Sequence, residues 1–174
     1  ASINKDAIAV VRKTAEPIVK IVSEGYGKEI AIDIRDTEKR QEEEGTTEAL
    51  LRGILAKTKE NGWQVGGFQA YITSDVLIGA GLSSSAALET LIGTVLSYLY
   101  NDGRITAVEI AMLGQYAENR YFGKPCGLMD QMACSVGSLV HIDFADPENP
   151  QTESLFMDLH AHGCSLCITD TKGS

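Results

Sequence analysis

Ile78-Gly79-Ala80-Gly81-Leu82-Ser83-Ser84-Ser85-Ala86-Ala87-Leu88-Glu89 joins a glycine-rich turn to three consecutive hydroxyls and then opens an amphipathic stretch. That order suits a phosphate cradle at the start of a helix. Gly79 and Gly81 let the backbone turn sharply and approach an anion with no Cβ in the way. The first amides of a helix lack intrahelical partners and carry the positive end of its dipole, so an anion placed there meets N–H donors and serine hydroxyls together. A plain capping role is the competing account, since serine is a favoured N-cap and glycine a common turn residue. One cap needs only one side-chain oxygen, whereas this run supplies three. The run is neither a Walker A loop, because no lysine follows the glycines, nor Gly-x-Gly-x-x-Gly, because Ser84 stands at the third glycine.

Outward from this run, hydrophobic periodicity divides the chain. Residues 7–13, 18–23 and 29–34 are short β-rich runs separated by Glu16-Pro17 and Gly25-Tyr26-Gly27, and they read as neighbouring antiparallel strands. Residues 36–44 are charged and read as a solvated loop. Thr46-Thr47 starts a helix with Leu50, Leu51, Ile54 and Leu55 on one face, ending near Asn61-Gly62. A strand follows at 67–73, then the loop 74–81. The helix from Leu82 to about Tyr100 should bury Leu88, Ile92, Val95 and Leu99. Thr106 and Glu109 form a capping-box pattern opening a helix to about Tyr121, and residues 129–136 form a short helix after the Gly123–Gly127 turn. Residues 139–144, 154–159 and 164–170 read as strands. Strands first, helices in the middle and strands last predict an α+β sandwich over a doubly wound parallel sheet.

The bulk properties narrow the function. The formal net charge of −9 over 174 residues argues against a nucleic-acid partner. No apolar run reaches the roughly 18 residues a membrane span needs, and no signal peptide begins at Ala1, so a cytoplasmic protein without a membrane partner is expected. Cys126, Cys134, Cys164 and Cys167 do not form a disulfide framework pattern, and the lone Cys-x-x-Cys at 164–167 lacks a second half for zinc. His160 and His162 bring no third metal ligand.

Two acids could complete a phosphate site. Glu118 lies in Ala117-Glu118-Asn119-Arg120, and Asp130 follows the turn Gly123-Lys124-Pro125-Cys126-Gly127. Phosphoryl transfer needs a cation held by hydroxyl and carboxylate oxygens, a role open to Ser85 with Glu118, and a group beside the acceptor hydroxyl, a role open to Asp130. Each acid also has a plain structural account: a helix-surface charge for Glu118 and a helix cap for Asp130.

The segment from Ser74-Asp75-Val76 to Glu89, with Gly123-Lys124-Pro125-Cys126-Gly127-Leu128-Met129-Asp130-Gln131, resembles the galactokinases of the GHMP small-molecule kinase superfamily. The glycine-serine run is shared across that superfamily, and the Pro-Cys-Gly-x-Met-Asp-Gln block is the more specific part. The resemblance implies a ribosomal-protein-S5-domain-2-like fold. It implies that Gly79, Ala80, Gly81, Leu82, Ser83, Ser84 and Ser85 hold the ATP phosphates, and that Ser85 and Glu118 coordinate Mg²⁺. It makes Asp130 the catalytic base at the C1 hydroxyl of galactose, with Gly127 touching the sugar through its backbone. Leu77 stands where the family usually has proline, and Leu128 replaces the commoner isoleucine. The family's N-terminal sugar-binding motif with its catalytic arginine, its third glycine-rich motif and its C-terminal domain have no match. Residues 1–174 therefore resemble the central part of the N-terminal domain, expected to be inactive alone and prone to self-association through an exposed sheet edge. A kinase for galacturonate or N-acetylgalactosamine, or a non-catalytic galactose- and ATP-binding sensor, are the alternatives. The sensors resembling this family lack a Ser-Ala pair in the phosphate loop, whereas Ser85-Ala86 is present here.

Overall fold

The computed structural model describes residues 1–25, 27–76 and 81–167. Three strands come first: β1 (Ala7–Lys13), β2 (Ile18–Ser23) and β3 (Ile30–Asp33). Helix α1 (Thr47–Glu60) leads to β4 (Phe68–Ser74), and then come α2 (Ser84–Tyr100), α3 (Ala107–Ala117) and α4 (Met129–Val136). A hairpin of β5 (Leu139–Asp143) and β6 (Gln151–Leu155) follows.

The main sheet has the order β1-β4-β2-β3. The sequence pattern correctly places β2 beside β3, antiparallel, with Val19 opposite Ile32. It errs in making β1 a neighbour of β2. Strand β4 enters between them, antiparallel to β1 and parallel to β2, with Val19 opposite Phe68 and Ile21 opposite Ala70. Parallel neighbours need a long crossover, and α1 provides it. The alternation of Phe68, Ala70 and Ile72 turns one face of β4 into the core and makes it suited to the middle of the sheet.

Helices α1 and α2 cover that face with Leu50, Leu51, Ile54 and Leu55 from α1 and Ile92, Val95 and Leu96 from α2. Leu88 and Leu99, expected to be buried, are half-buried at the margin of this cluster. Helix α3 packs behind α1 and α2, and α4 against α2 and α3. Glycines make the close crossings: a Cβ on Gly53 would fall 2.8 Å from the Ala117 Cα, and one on Gly93 would fall 2.8 Å from Ile110 Cγ2. The capping box of Thr106 and Glu109 forms as its spacing predicts.

Four further expectations need correction. The loop at 36–44 is pinned rather than solvated throughout. Arg52, 3% exposed, donates Nε and Nη2 to the two Glu43 oxygens at 2.7 Å each and Nη1 to the Asp36 carbonyl at 2.6 Å. Helix α2 begins at Ser84, not Leu82, because Ser83 adopts a left-handed conformation. The last strand is residues 151–155 rather than 154–159, with Phe156 wholly exposed beyond it. Residues 164–167 form no strand, and 168–170 lie outside the described residues. The cysteines are free, and no helix among the described residues is long and apolar enough to cross a membrane.

Candidate functional site

The site forms where the N-terminus of α2 meets α4 and the end of α3. Gly81 has φ +70°, and among the described residues a Cβ added to it would meet nothing within 4 Å. Ser83 follows with φ 57° and ψ 48°, an uncommon conformation for a residue with a side chain. It occupies the N-cap position without capping: its hydroxyl makes no bond to the helix amides and instead donates to Asp130 Oδ2 at 2.6 Å. The amides that open α2 therefore remain free of a side-chain cap from Ser83, as an anion site requires. Leu82, Ser83, Ser84 and Ser85 are all half-buried at this turn. Gly79 and Ala80 lie outside the described residues.

Asp130 lies in the first turn of α4, where no side-chain cap is formed, so the capping account does not describe it. It is exposed and, with Gly81, Leu82 and Ser83, lines a cleft of about 600 Å³. Gly127 is exposed on the turn leading into α4. That turn is fastened by Asn119, which accepts the Cys126 amide at 2.7 Å and returns Nδ2 to the Cys126 carbonyl at 3.3 Å. Among the described residues no arginine bonds Asp130.

Glu118 is not the surface charge its helical position would suggest. The α-helical bonding of α3 ends at Ala117, and Glu118–Phe122 form a π-helical turn. Such turns are rare and often stand at functional sites. Glu118 is 3% exposed. Its Oε1 accepts Ser85 Oγ at 3.2 Å and Lys124 Nζ at 3.1 Å, and its Oε2 accepts Gln131 Nε2 at 2.9 Å. The hydrogen bond to Glu118, with its negative charge, raises the Lys124 pKa.

Beneath these groups lies a carboxyl the sequence reading passed over. Glu89 is fully buried, and its Oε2 accepts the same Gln131 nitrogen at 3.0 Å. Burial pushes its pKa up to about 8, against the opposing hydrogen bond from Gln131, so it is protonated at neutral pH. Among the described residues its Oε1 and the Gln131 Oε1 are buried without a partner. Cys126 beside them is an inert thiol, with a pKa pushed up to about 12 chiefly by burial. Among the described residues no group of three His, Cys, Asp or Glu could hold a metal by itself. A Mg²⁺ site built on Ser85 and Glu118 would need phosphate or water oxygens to complete it, which is how Mg²⁺ is ordinarily bound. The donor set fits, because both ligands are hard oxygens and Glu118 Oε1 already attracts the Lys124 ammonium.

Residues 48–138, more than half of the chain, match the family described as GHMP kinases N terminal domain. The chain belongs to that family. This GHMP kinase domain is 36% identical to the galactokinase of Pyrococcus furiosus over 135 residues, covering 78% of the chain and 37% of that protein. It is 33% identical to the galactokinase of Lactococcus lactis over 173 residues, covering 98% of the chain and 43% of that protein. Among solved structures, Lactococcus lactis galactokinase complexed with galactose superposes with a TM-score of 0.78 at 29% identity, over 91% of this chain and 41% of that one. The mevalonate kinase of Methanococcus jannaschii shares the fold, with a TM-score of 0.68 at 18% identity over 89% of the chain and 47% of that one. The GHMP kinase domain thus spans less than half the length of the curated relatives it matches. The α+β architecture expected from the sequence is the architecture of this family.

Proposed function

We propose that this chain supplies the phosphate-binding turn, the metal ligands and the catalytic acid–base group of a cytoplasmic sugar kinase that transfers the γ-phosphoryl of ATP to the C1 hydroxyl of galactose. On this reading the chain is the central part of the N-terminal domain of the intact protein. The observation that carries it is the 2.6 Å bond between Ser83 Oγ and Asp130 Oδ2, which sets a carboxylate against the anion-binding end of α2. The similarity to galactokinases supports galactose as the acceptor.

The chemistry follows from the placement. The opening amides of α2 and the Ser84 hydroxyl receive the phosphate oxygens, flanked by the Ser83 and Ser85 hydroxyls, which donate to Asp130 and Glu118, and the helix dipole favours the phosphate charge. Ser85 and Glu118 would hold Mg²⁺, which supplies charge neutralisation to the phosphates when bound. Asp130 takes the proton of the C1 hydroxyl as that oxygen bonds to the γ-phosphorus and the bond from phosphorus to the ADP oxygen breaks. Ser83, bonded to the same carboxylate, holds it at the phosphate turn.

The test is Asp130→Ala in the intact protein. Turnover should fall by about 10²–10⁴-fold, the usual contribution of a positioned acid–base group, while ATP binding by calorimetry persists. Wild-type turnover in the variant would remove Asp130 from the mechanism. A panel of galactose, galacturonate and N-acetylgalactosamine, assayed for ADP release, should show galactose preferred. Binding of ATP and galactose without any turnover in the wild type would select the sensor instead.

A further inference from the structure

We propose that Gln131 is a positioning residue that fixes the orientation of the Glu118 carboxylate toward the phosphate turn, with buried Glu89 as its anchor. This rests on the phosphotransfer reading above. The amide nitrogen of Gln131 has two hydrogens, and both are used: one reaches Glu118 Oε2 at 2.9 Å, the other Glu89 Oε2 at 3.0 Å. Glu118 is thereby given two unlike sides. Oε2 is turned inward to Gln131, while Oε1 is left to Ser85 and Lys124. Ser85 and Lys124 both hold Oε1, and the Gln131 bond to Oε2 fixes the remaining freedom of the carboxylate plane, so that it does not turn away from Ser85.

Three further observations favour a clamp over incidental packing. Glu89, Gln131 and Glu118 are 0%, 1% and 3% exposed, so water does not compete for these bonds. Glu89 stands four residues after Ser85 on the same face of α2, which ties the anchor to the helix bearing the hydroxyl ligand. Space for the pair is kept by Gly114 of α3, where a Cβ would come within 2.8 Å of Glu89 Oε2 and 3.2 Å of Gln131 Cγ. Because Gln131 adjoins Asp130 on α4, the clamp also links the helix carrying the acid to the turn carrying the metal ligand.

The experiment measures ATP affinity of the intact protein by calorimetry with and without Mg²⁺, beside denaturant unfolding. In Gln131→Met the gain in ATP affinity conferred by Mg²⁺ should fall by about 10-fold, the lower end of what loss of a ligand-orienting partner costs, while metal-free ATP affinity holds. Glu89→Leu should lose part of that gain, and Glu89→Gln, which keeps an acceptor for the Gln131 N–H, should retain it. If Gln131→Met fails to fold, the Glu89 pair decides. A lower unfolding midpoint in Gln131→Met with the Mg²⁺ gain intact would reduce Gln131 to packing and overturn the proposal alone, as would equal gains in the two Glu89 variants. Absence of any Mg²⁺ gain in the wild type would overturn the phosphotransfer reading and the clamp with it.

Discussion

A carboxyl buried as deeply as Glu89 makes stability depend on pH in an unusual direction. The unfolded chain ionises Glu89 near its ordinary 4.5, while the folded protein keeps the proton until about pH 8. Across that window the folded state binds the extra proton, so stability declines as pH rises, by at most about 1.4 kcal/mol per unit, and levels off above pH 8. Glu89→Gln removes the titration. Urea unfolding of both proteins at intervals from pH 5 to 8 should show the variant gaining steadily on the wild type. Parallel curves would mean that Glu89 is already ionised in the fold. The same residue marks the limit of sequence reading. Ser83 and Ser85 stand out in the sequence as candidates because three hydroxyls exceed the needs of capping, and Asp130 because the Pro-Cys-Gly block before it is distinctive, whereas Glu118 is a candidate chiefly through the family resemblance. Glu89 does not stand out, since a helical glutamate in the first turns of a helix reads as solvated. Its burial depends on α3 and α4 closing over it at Gly114, and no local pattern encodes that. Lys124 and Asn119 were missed in the same way, as their partners are set by how the turn folds back.

At the scale of elements, the helices stand at the mercy of small residues. Gly53 of α1 faces Ala117 and Tyr121 so closely that an added Cβ would sit 2.8 Å from backbone and 2.9 Å from the Tyr121 ring. Helix propensity favours alanine over glycine by about 1 kcal/mol, but overpacking a tight core costs about 1–3 kcal/mol. We therefore expect Gly53→Ala to lower the unfolding free energy, measured in urea, because rigid backbone rather than a flexible tip must move. A rise in stability would show that the α1–α3 crossing yields easily. The fault lines of the sequence reading also fall at this scale. The periodicity locates α1 to α4 to within a few residues, since a 3.6-residue repeat is a local signal, but it does not show the short turn at Gln41–Glu43 or the π-turn at Glu118–Phe122. The insertion of β4 between β1 and β2 escapes it too, because pairing partners are chosen across the chain and adjacency in sequence suggested the wrong one.

For the molecule as a whole, the uncovered side of the main sheet is the salient surface. Ile8, Val10 and Tyr71 are 57%, 75% and 51% exposed on it, and β1 ends the sheet with its outer edge unpaired among the described residues. Open apolar edges invite pairing with another chain, and a charge placed on the edge is the usual remedy. Light scattering should show the average mass of this chain rising with concentration, and Val10→Lys should hold it at the monomer. A wild-type chain that stays monomeric throughout would show that this face is tolerated as it stands.

The π-turn at Glu118 has a consequence for how such a protein can change. Each of its hydrogen bonds spans one residue more than a regular helix would, so the segment from Glu118 to Phe122 carries a spare residue. Losing that residue would draw Gly123 and the turn behind it back along the helix, shifting Lys124 and Cys126 against Glu118 and Asn119. Chain length here therefore sets where Lys124 and Cys126 stand as much as residue identity does.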